Sequence, residues 1–315
     1  MNLVFCGTPQ FAVPVLEKLI EAGYTIPLVL TQPDRPRGRG MEVAFSPVKE
    51  CALKHGLTIQ QPEKIKKNED LMQTLQSISP DVIVVVGYGR IIPKWMLDLP
   101  RFGNINLHGS LLPKYRGAAP IQWAIASGES VTGVTTMLLN EGLDTGDILL
   151  QASEPIADDD TSLTLAPRLA KIGAELMQKT LEGLQAGTIK RIPQDDSKAS
   201  LAPILEREDA QISFACTAQQ IYERMRGFTP WPGAYTTFRG KKLIVHAAKP
   251  SAEALNLSPA QLGVQPGRLF VGCAKYTVLE LFEVQLEGKK RLAAREFLAG
   301  YKLESQEALG QPSSV

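Results

Sequence analysis

The sequence predicts an α/β protein in which a doubly wound, mostly parallel sheet is followed by a small antiparallel β-barrel. Three observations carry that prediction. Short apolar runs closed by glycine alternate with stretches of helical period as far as Gly187. One run, Val82–Val86, is continuous Val and Ile, the pattern of a strand covered on both faces in a parallel sheet. After Gly187 the alternation stops, and short β-prone runs separated by Gly, Pro and Lys take over.

Taken in order, Leu3, Val4 and Phe5 form a strand run, and Gly7, Thr8 and Pro9 a turn. Phe11, Val15, Leu16, Leu19 and Ile20 then recur at helical spacing until Gly23. Pro14 falls in the first turns, where a missing N–H is tolerated. Residues 26–30, 81–86, 105–107 and 134–139 read as further strands, and 163–184 as a helix. The polar stretch with Pro193 and Pro203 reads as a linker. Beyond it, 218–226 reads as a helix, and 234–238, 242–247, 268–271 and 276–284 read as strands. The expected domains are therefore 1–189 and 208–315, joined by 190–207. The polar tail from Ser305 is expected to fray.

Composition narrows the class. The chain carries 34 Lys and Arg against 33 Asp and Glu, a net charge of +1, split as −2 over residues 1–190 and +3 over 191–315. A mildly basic second part is compatible with RNA contact but does not establish it. No apolar run is long enough to span a bilayer, and the first residues lack the pattern of a secretory leader. Cys6, Cys51, Cys216 and Cys273 form no C-x-x-C pair. Reduced thiols in a cytoplasmic protein are the expectation.

Four stretches bear on chemistry. "FCGTPQFA" stands where a dinucleotide fold carries G-x-G-x-x-G, but only Gly7 is present, so the fingerprint for hydride transfer fails. "LDTGD" holds the D-T-G triplet of aspartic proteases once only, and that chemistry needs two carboxylates; a tight turn explains the triplet as such. Asp144 within it keeps its interest because, like His108, it follows a strand. "QPDRPRGRG" is a loop carrying Arg35, Arg37 and Arg39 on the crevice side of the sheet, a solvated charge run or a polyanion contact.

"NINLHGSLLPKYRG" is the fourth. Strand alternation puts Asn106 and His108 on one face, roughly 7 Å apart. At the carboxyl end of a parallel strand, an amide and an imidazole can both donate to an oxyanion while a carboxylate orients the ring. That set suits attack on a carbonyl carbon without a side-chain nucleophile. Ser110 is in no G-x-S-x-G elbow. Spacing alone leaves a turn histidine and a catalytic one equally open.

"GTPQFA", "TQPDRPRGRG", "SPVK", "VVGYGRIIP", "INLHGSLLPKYRGAAPIQWAI", "TGVTTMLLNEGLDTGDIL" and "FTPWPGAYT" occur in this order. Together they make the chain resemble the methionyl-tRNA formyltransferase family along nearly its whole length. The resemblance implies a Rossmann-like catalytic domain, an OB-like C-terminal barrel, and formyl transfer from 10-formyltetrahydrofolate to methionyl-initiator tRNA. It implies Asn106, His108 and Asp144 as the catalytic set. Ser110, Leu111, Leu112 and Pro113, with Gly87, Tyr88, Gly89, Arg90 and Ile91, would bind the folate. Arg35, Arg37 and above all Arg39 would meet the acceptor stem. No metal, no membrane and no obligate protein partner are expected, and a monomer is the default.

Met41 and Glu42 stand where relatives commonly carry two lysines, which weakens the loop's expected phosphate contacts. Trp231, between two prolines, is expected to pack rather than to stack on RNA. An amino sugar nucleotide is the alternative acceptor. A glycinamide ribonucleotide formyltransferase is a shorter rival. A tRNA-binding protein with an inactive transferase domain is opposed by the intact Asn106, His108 and Asp144.

Overall fold

Glycine-closed strands and proline-started helices set the order of the first part of the chain. The computed structural model describes residues 1–37 and 42–310; Arg39, Met41 and the last five residues lie outside them. Strand β1 (Asn2–Gly7) leads through a short 3-10 turn to helix α1 (Val13–Glu21), which has Pro14 in its first turn and buries Val13, Val15, Leu16 and Leu19. Then come β2 (Thr25–Leu30), the hairpin strands β3 (Arg35–Arg37) and β4 (Glu42–Ala44), α2 (Pro47–Lys54) and β5 (Ile59–Gln60). Next are α3 (Glu69–Ile78), β6 (Val82–Val86), α4 (Lys94–Leu97), β7 (Asn104–His108), α5 (Pro120–Ala126), β8 (Val131–Leu138), β9 (Ile148–Pro155) and α6 (Ser162–Ala186). The sequence reading did not name α2 and α3, although both carry side-chain N-caps. Ser46 Oγ accepts from the Lys49 N–H, and Asn68 Oδ1 accepts from the Leu71 N–H.

The strands form one seven-stranded sheet in the order β5-β2-β1-β6-β7-β8-β9. Pairing is parallel from β5 to β7 and antiparallel at β7–β8 and β8–β9. The expected mostly parallel Rossmann-like sheet is thus present. Its connections run outward from β1 through β2 to β5, then return to the other side of β1 at β6. The carboxyl ends of β1 and β6 therefore form a topological switch point, where such sheets open into a crevice. Every residue of β6 and of β7 is buried. Each fully buried Val or Ile side chain contributes about 1.5–3 kcal/mol.

Alternation along β7 sorts its two faces. Leu107 meets Gly173 of α6, where an added Cβ would lie 2.4 Å from a Leu107 methyl carbon, so the helix approaches closely only because residue 173 is glycine. Asn104, Asn106 and His108 occupy the alternate positions. The Asn104 amide donates to the carbonyls of Met96 and Leu97 at 2.9 and 3.0 Å, which satisfies the end of α4.

By its contacts the chain divides into two units. One comprises Met1–Pro120, Val131–Pro155 and Thr164–Pro203; the other comprises Ile121–Ser130, Ile156–Leu163 and Ile204–Val315. The second unit holds α7 (Ala218–Gly227), strands β10 (Tyr235–Phe238), β11 (Lys241–Ser251), β12 (Leu262–Gln265), β13 (Arg268–Gly272), β14 (Val278–Leu286) and β15 (Leu292–Ala293), and helix α8 (Ala294–Gly300). Its sheet is antiparallel throughout, in the order β10-β11-β14-β13-β12 with β15 on β14. Among the described residues no pairing of β10 with β12 closes it. Phe238, Phe297 and Tyr301 pack together in its core, with ring centroids 4.7–5.9 Å apart.

Two expectations are corrected here. Trp231 does not pack away: it is 52 % exposed. The tail does not fray from Ser305, because Leu309 is buried and its N–H donates to the Ala260 carbonyl at 2.9 Å. Among the described residues no helix is long and apolar enough to cross a membrane.

Candidate active site

His108 is the last residue of β7, paired with Thr135 of β8 across an antiparallel register. Its ring is bonded at one nitrogen and faces a carboxylate at the other. Nε2 lies 2.8 Å from the Tyr115 carbonyl, and Nδ1 lies 3.7 Å from Asp144 Oδ2. A carbonyl only accepts, so Nε2 carries a hydrogen. The side chains of His108 and Asp144 are 6 % and 14 % exposed, so water screens the pair weakly.

Asp144 sits between β8 and β9 at φ 51°, a left-handed conformation uncommon outside glycine. Its Oδ2 also accepts from the Gly117 N–H at 2.9 Å. The surrounding "LDTGD" is a turn. Asn140 Oδ1 accepts from the Gly142 N–H and the Thr145 hydroxyl, and a Cβ on Gly146 would meet the Leu138 carbonyl at 1.8 Å. Asn106, 9 % exposed, pairs with Val85 and Met137 through the backbone, and its side-chain amide bonds to no described residue. The structure thus brings His108 and Asp144 together and leaves the Asn106 amide free to donate.

The remaining predicted residues fall into different surroundings. Ser110 is fully buried and its hydroxyl donates to the Lys114 carbonyl at 2.6 Å, so it closes its own turn. Thr135 and Gln151 tie that turn to the sheet. Thr135 Oγ1 donates to the Ser110 carbonyl and accepts from the Leu112 N–H, while Gln151 donates to the Leu112 carbonyl. Leu112 is buried with Met137 and Ile148; Leu111 and Pro113 are partly exposed. Gly87 and Gly89 are exposed at φ 54° and 74°, directly after β6 at the switch point. Between them Tyr88 turns into the core, where burial pushes its hydroxyl above the usual tyrosine range. Arg90 has a buried Nε with no hydrogen-bond partner, and Ile91 is 92 % exposed.

Arg35 is exposed and lines an open polar cleft of about 390 Å³ with Thr8, Gln32, Asp34, Ser46, Gly89 and Arg90. The cleft joins one expected tRNA contact to two expected folate contacts, and includes none of Asn106, His108 and Asp144. Burial pushes the Asp34 carboxyl up, but hydrogen bonds from Lys49 and Gln61 outweigh it and hold the group below its usual range. Arg37 contributes backbone to β3, and Arg39 lies outside the described residues. One group of metal-type donors converges among the described residues: Glu17 of α1 with Cys51 and His55 of α2, all within 4.8 Å. It shares no residue with the His108–Asp144 site.

Residues 1–181 match the model of the formyl transferase family and 204–302 that of the formyl transferase C-terminal domain. Methionyl-tRNA formyltransferase of Koribacter versatilis (strain Ellin345) is 60% identical over 314 residues, covering 100% of both chains. The chain belongs to the methionyl-tRNA formyltransferase family. Among solved structures, the formyltransferase chain matches HypX from Aquifex aeolicus in complex with tetrahydrofolic acid at a TM-score of 0.61 and 17% identity. That match covers 95% of this chain and 47% of the other. It also matches WlaRD, a sugar 3N-formyl transferase solved with dTDP and 5-N-formyl-THF, at 0.66 and 18% identity over 92% and 99%. At that identity these likenesses show the fold.

The sequence reading missed the groups that hold the pair. Tyr115 and Gly117 supply only backbone atoms to His108 and Asp144, and no side-chain pattern signals a backbone contact.

Proposed function

We propose that this formyltransferase moves the formyl group of 10-formyltetrahydrofolate to the α-amino group of methionyl-initiator tRNA, giving formylmethionyl-tRNA and tetrahydrofolate. The amine attacks the formyl carbon, the bond from that carbon to the folate nitrogen breaks, and the proton lost by the amine passes to the leaving nitrogen. Asn106 donates to the formyl oxygen as it takes up negative charge, and His108 joins it by exchanging its Nε2 bond to the Tyr115 carbonyl for one to that oxygen. Asp144 orients His108 and takes part in the proton transfer. One oxyanion donor is worth on the order of 3 kcal/mol in such a reaction. The observation that carries the reading is His108 at the end of a buried strand, bracketed by the Tyr115 carbonyl and the Asp144 carboxylate. The relatives' name supplies the acceptor.

Gly87, Tyr88, Gly89, Arg90 and Ile91, with Ser110, Leu111, Leu112 and Pro113, form the folate site, to which the turn at 110–113 contributes mainly backbone. Arg35, Arg37 and Arg39 meet the acceptor stem. The second unit, as an OB-like barrel, contacts tRNA. The domains are the catalytic 1–189, a connector 190–207 and the tRNA-binding 208–315. The enzyme works in the cytoplasm as a monomer, with no metal and no obligate protein partner.

The test supplies 10-formyltetrahydrofolate with charged initiator tRNA and, separately, with a dTDP-linked amino sugar. Formylmethionine recovered from the tRNA is the expected result. Formylation of the sugar with none of the tRNA would overturn the reading.

A further inference from the structure

The stretch from Ile192 to Ala202 looks like a connector by composition, yet it bonds to Asp144 and to Tyr115, the residue whose carbonyl meets His108. Ile192 exchanges backbone hydrogen bonds with Ile148 at 2.8 and 2.9 Å, which lays the strap beside the start of β9. Two residues on, Gln194 uses its whole side-chain amide. Nε2 donates to the carbonyls of Asp144 at 2.8 Å and Gly146 at 2.7 Å. Oε1 accepts from Arg116 Nε at 3.0 Å and Nη2 at 2.8 Å. These partners leave one orientation of the amide, since carbonyls only accept and a guanidinium only donates. Farther along, Ser200 Oγ accepts from the Tyr115 N–H at 2.9 Å, on the residue whose carbonyl meets His108 Nε2.

The chemistry gives this contact a purpose. Asp144 lies in a loop at positive φ, outside any strand ladder, so nothing regular fixes its carboxylate 3.7 Å from the imidazole. Two hydrogen bonds from one rigid amide fix the backbone on both sides of Thr145. The Arg116 side chain is only 8 % exposed and always charged, so it polarises the amide and strengthens its N–H donors. Its other partner, Asp196, is 83 % exposed and adds little.

We infer that Gln194, backed by Arg116, is a positioning residue that holds the Asp144 loop at its working distance from His108. The inference rests on reading His108 and Asp144 as the catalytic pair. Gln194 touches no reacting atom and acts only through where it puts Asp144.

The test measures kcat and KM for formyl transfer to charged initiator tRNA in Gln194→Ala and Gln194→Glu, each alone and combined with Asp144→Ala. Gln194→Glu keeps the shape and the Arg116 contact but presents oxygen to two carbonyls, and it carries the test if Gln194→Ala fails to fold. Both single variants are expected to lose about tenfold to a hundredfold in kcat. KM for both substrates should stay within about twofold of the parent. In the Asp144→Ala background the same changes should cost less than about twofold, because the loop no longer holds the group that Gln194 positions. Parental kcat in Gln194→Glu, or equal losses in both backgrounds, would overturn the inference. His108→Ala in the same assay separates the two levels. If it turns over like the parent, the reading of the pair fails. If it is inactive while the Gln194 variants are unaffected, only the role of Gln194 fails.

Discussion

His108 and Asp144 face each other across 3.7 Å but are delivered by opposite kinds of structure. His108 ends a five-residue strand that is buried along its length and paired on both sides. Asp144 stands in an irregular loop at φ 51°, held by single hydrogen bonds from Gly117 and Gln194. A strand fixes a side chain through many shared bonds, so losing one contact is absorbed. A loop fixes it through a few, so each one counts in the geometry of the pair. Damage to the strand half should therefore register as stability, and damage to the loop half as turnover.

The largest expected effect removes the groups themselves. His108→Ala and Asp144→Ala should each lower kcat by about a hundredfold to a thousandfold while folate still binds, as read by steady-state kinetics and by titration with the folate. Near-parental turnover in either variant would dissolve the pair and the contrast with it. Gly146→Ala comes next. Its new methyl group would press on the Leu138 carbonyl and shift the Asp144 loop. About a tenfold loss of kcat is expected, with a lower unfolding midpoint because the clash is with backbone; a lower midpoint with kcat intact breaks the contrast. Val84→Ala in the middle of β6 is the mildest for turnover. It should cost about 2 kcal/mol in urea unfolding, from lost burial and the cavity left behind, and leave kcat within twofold. A matching loss of kcat would mean that the strand half is as delicately set as the loop half.

The same contrast explains what could be read without coordinates. β6 and β7 were legible because burial on two faces demands continuous or alternating apolar residues. His108 was visible as a polar residue closing such a run. Asp144 was visible as a carboxylate following a strand, but its role came only through family resemblance, because a loop position is set by turn geometry and by partners distant in sequence. Gln194 lies 50 residues from Asp144. Its segment is polar and proline-bearing, and composition reads such a segment as a connector whichever way its side chains are used. The fold of the second unit was legible as short strands, but strand order follows from pairing and leaves no trace in local spacing. Trp231 shows the limit from the other side: flanking prolines constrain its backbone and say nothing about whether the ring is covered.

Gly173 has a reach beyond its own helix. Because the Leu107 methyl group occupies the space where its side chain would stand, the clearance between α6 and β7 is set by a single absent carbon. The next residue along that strand is His108. Position 173 is therefore a lever on the imidazole from the opposite face of the sheet. Because a strand absorbs the loss of one contact, an added methyl group there should register first as lost stability of β7 and reach the imidazole only by displacing the strand as a whole.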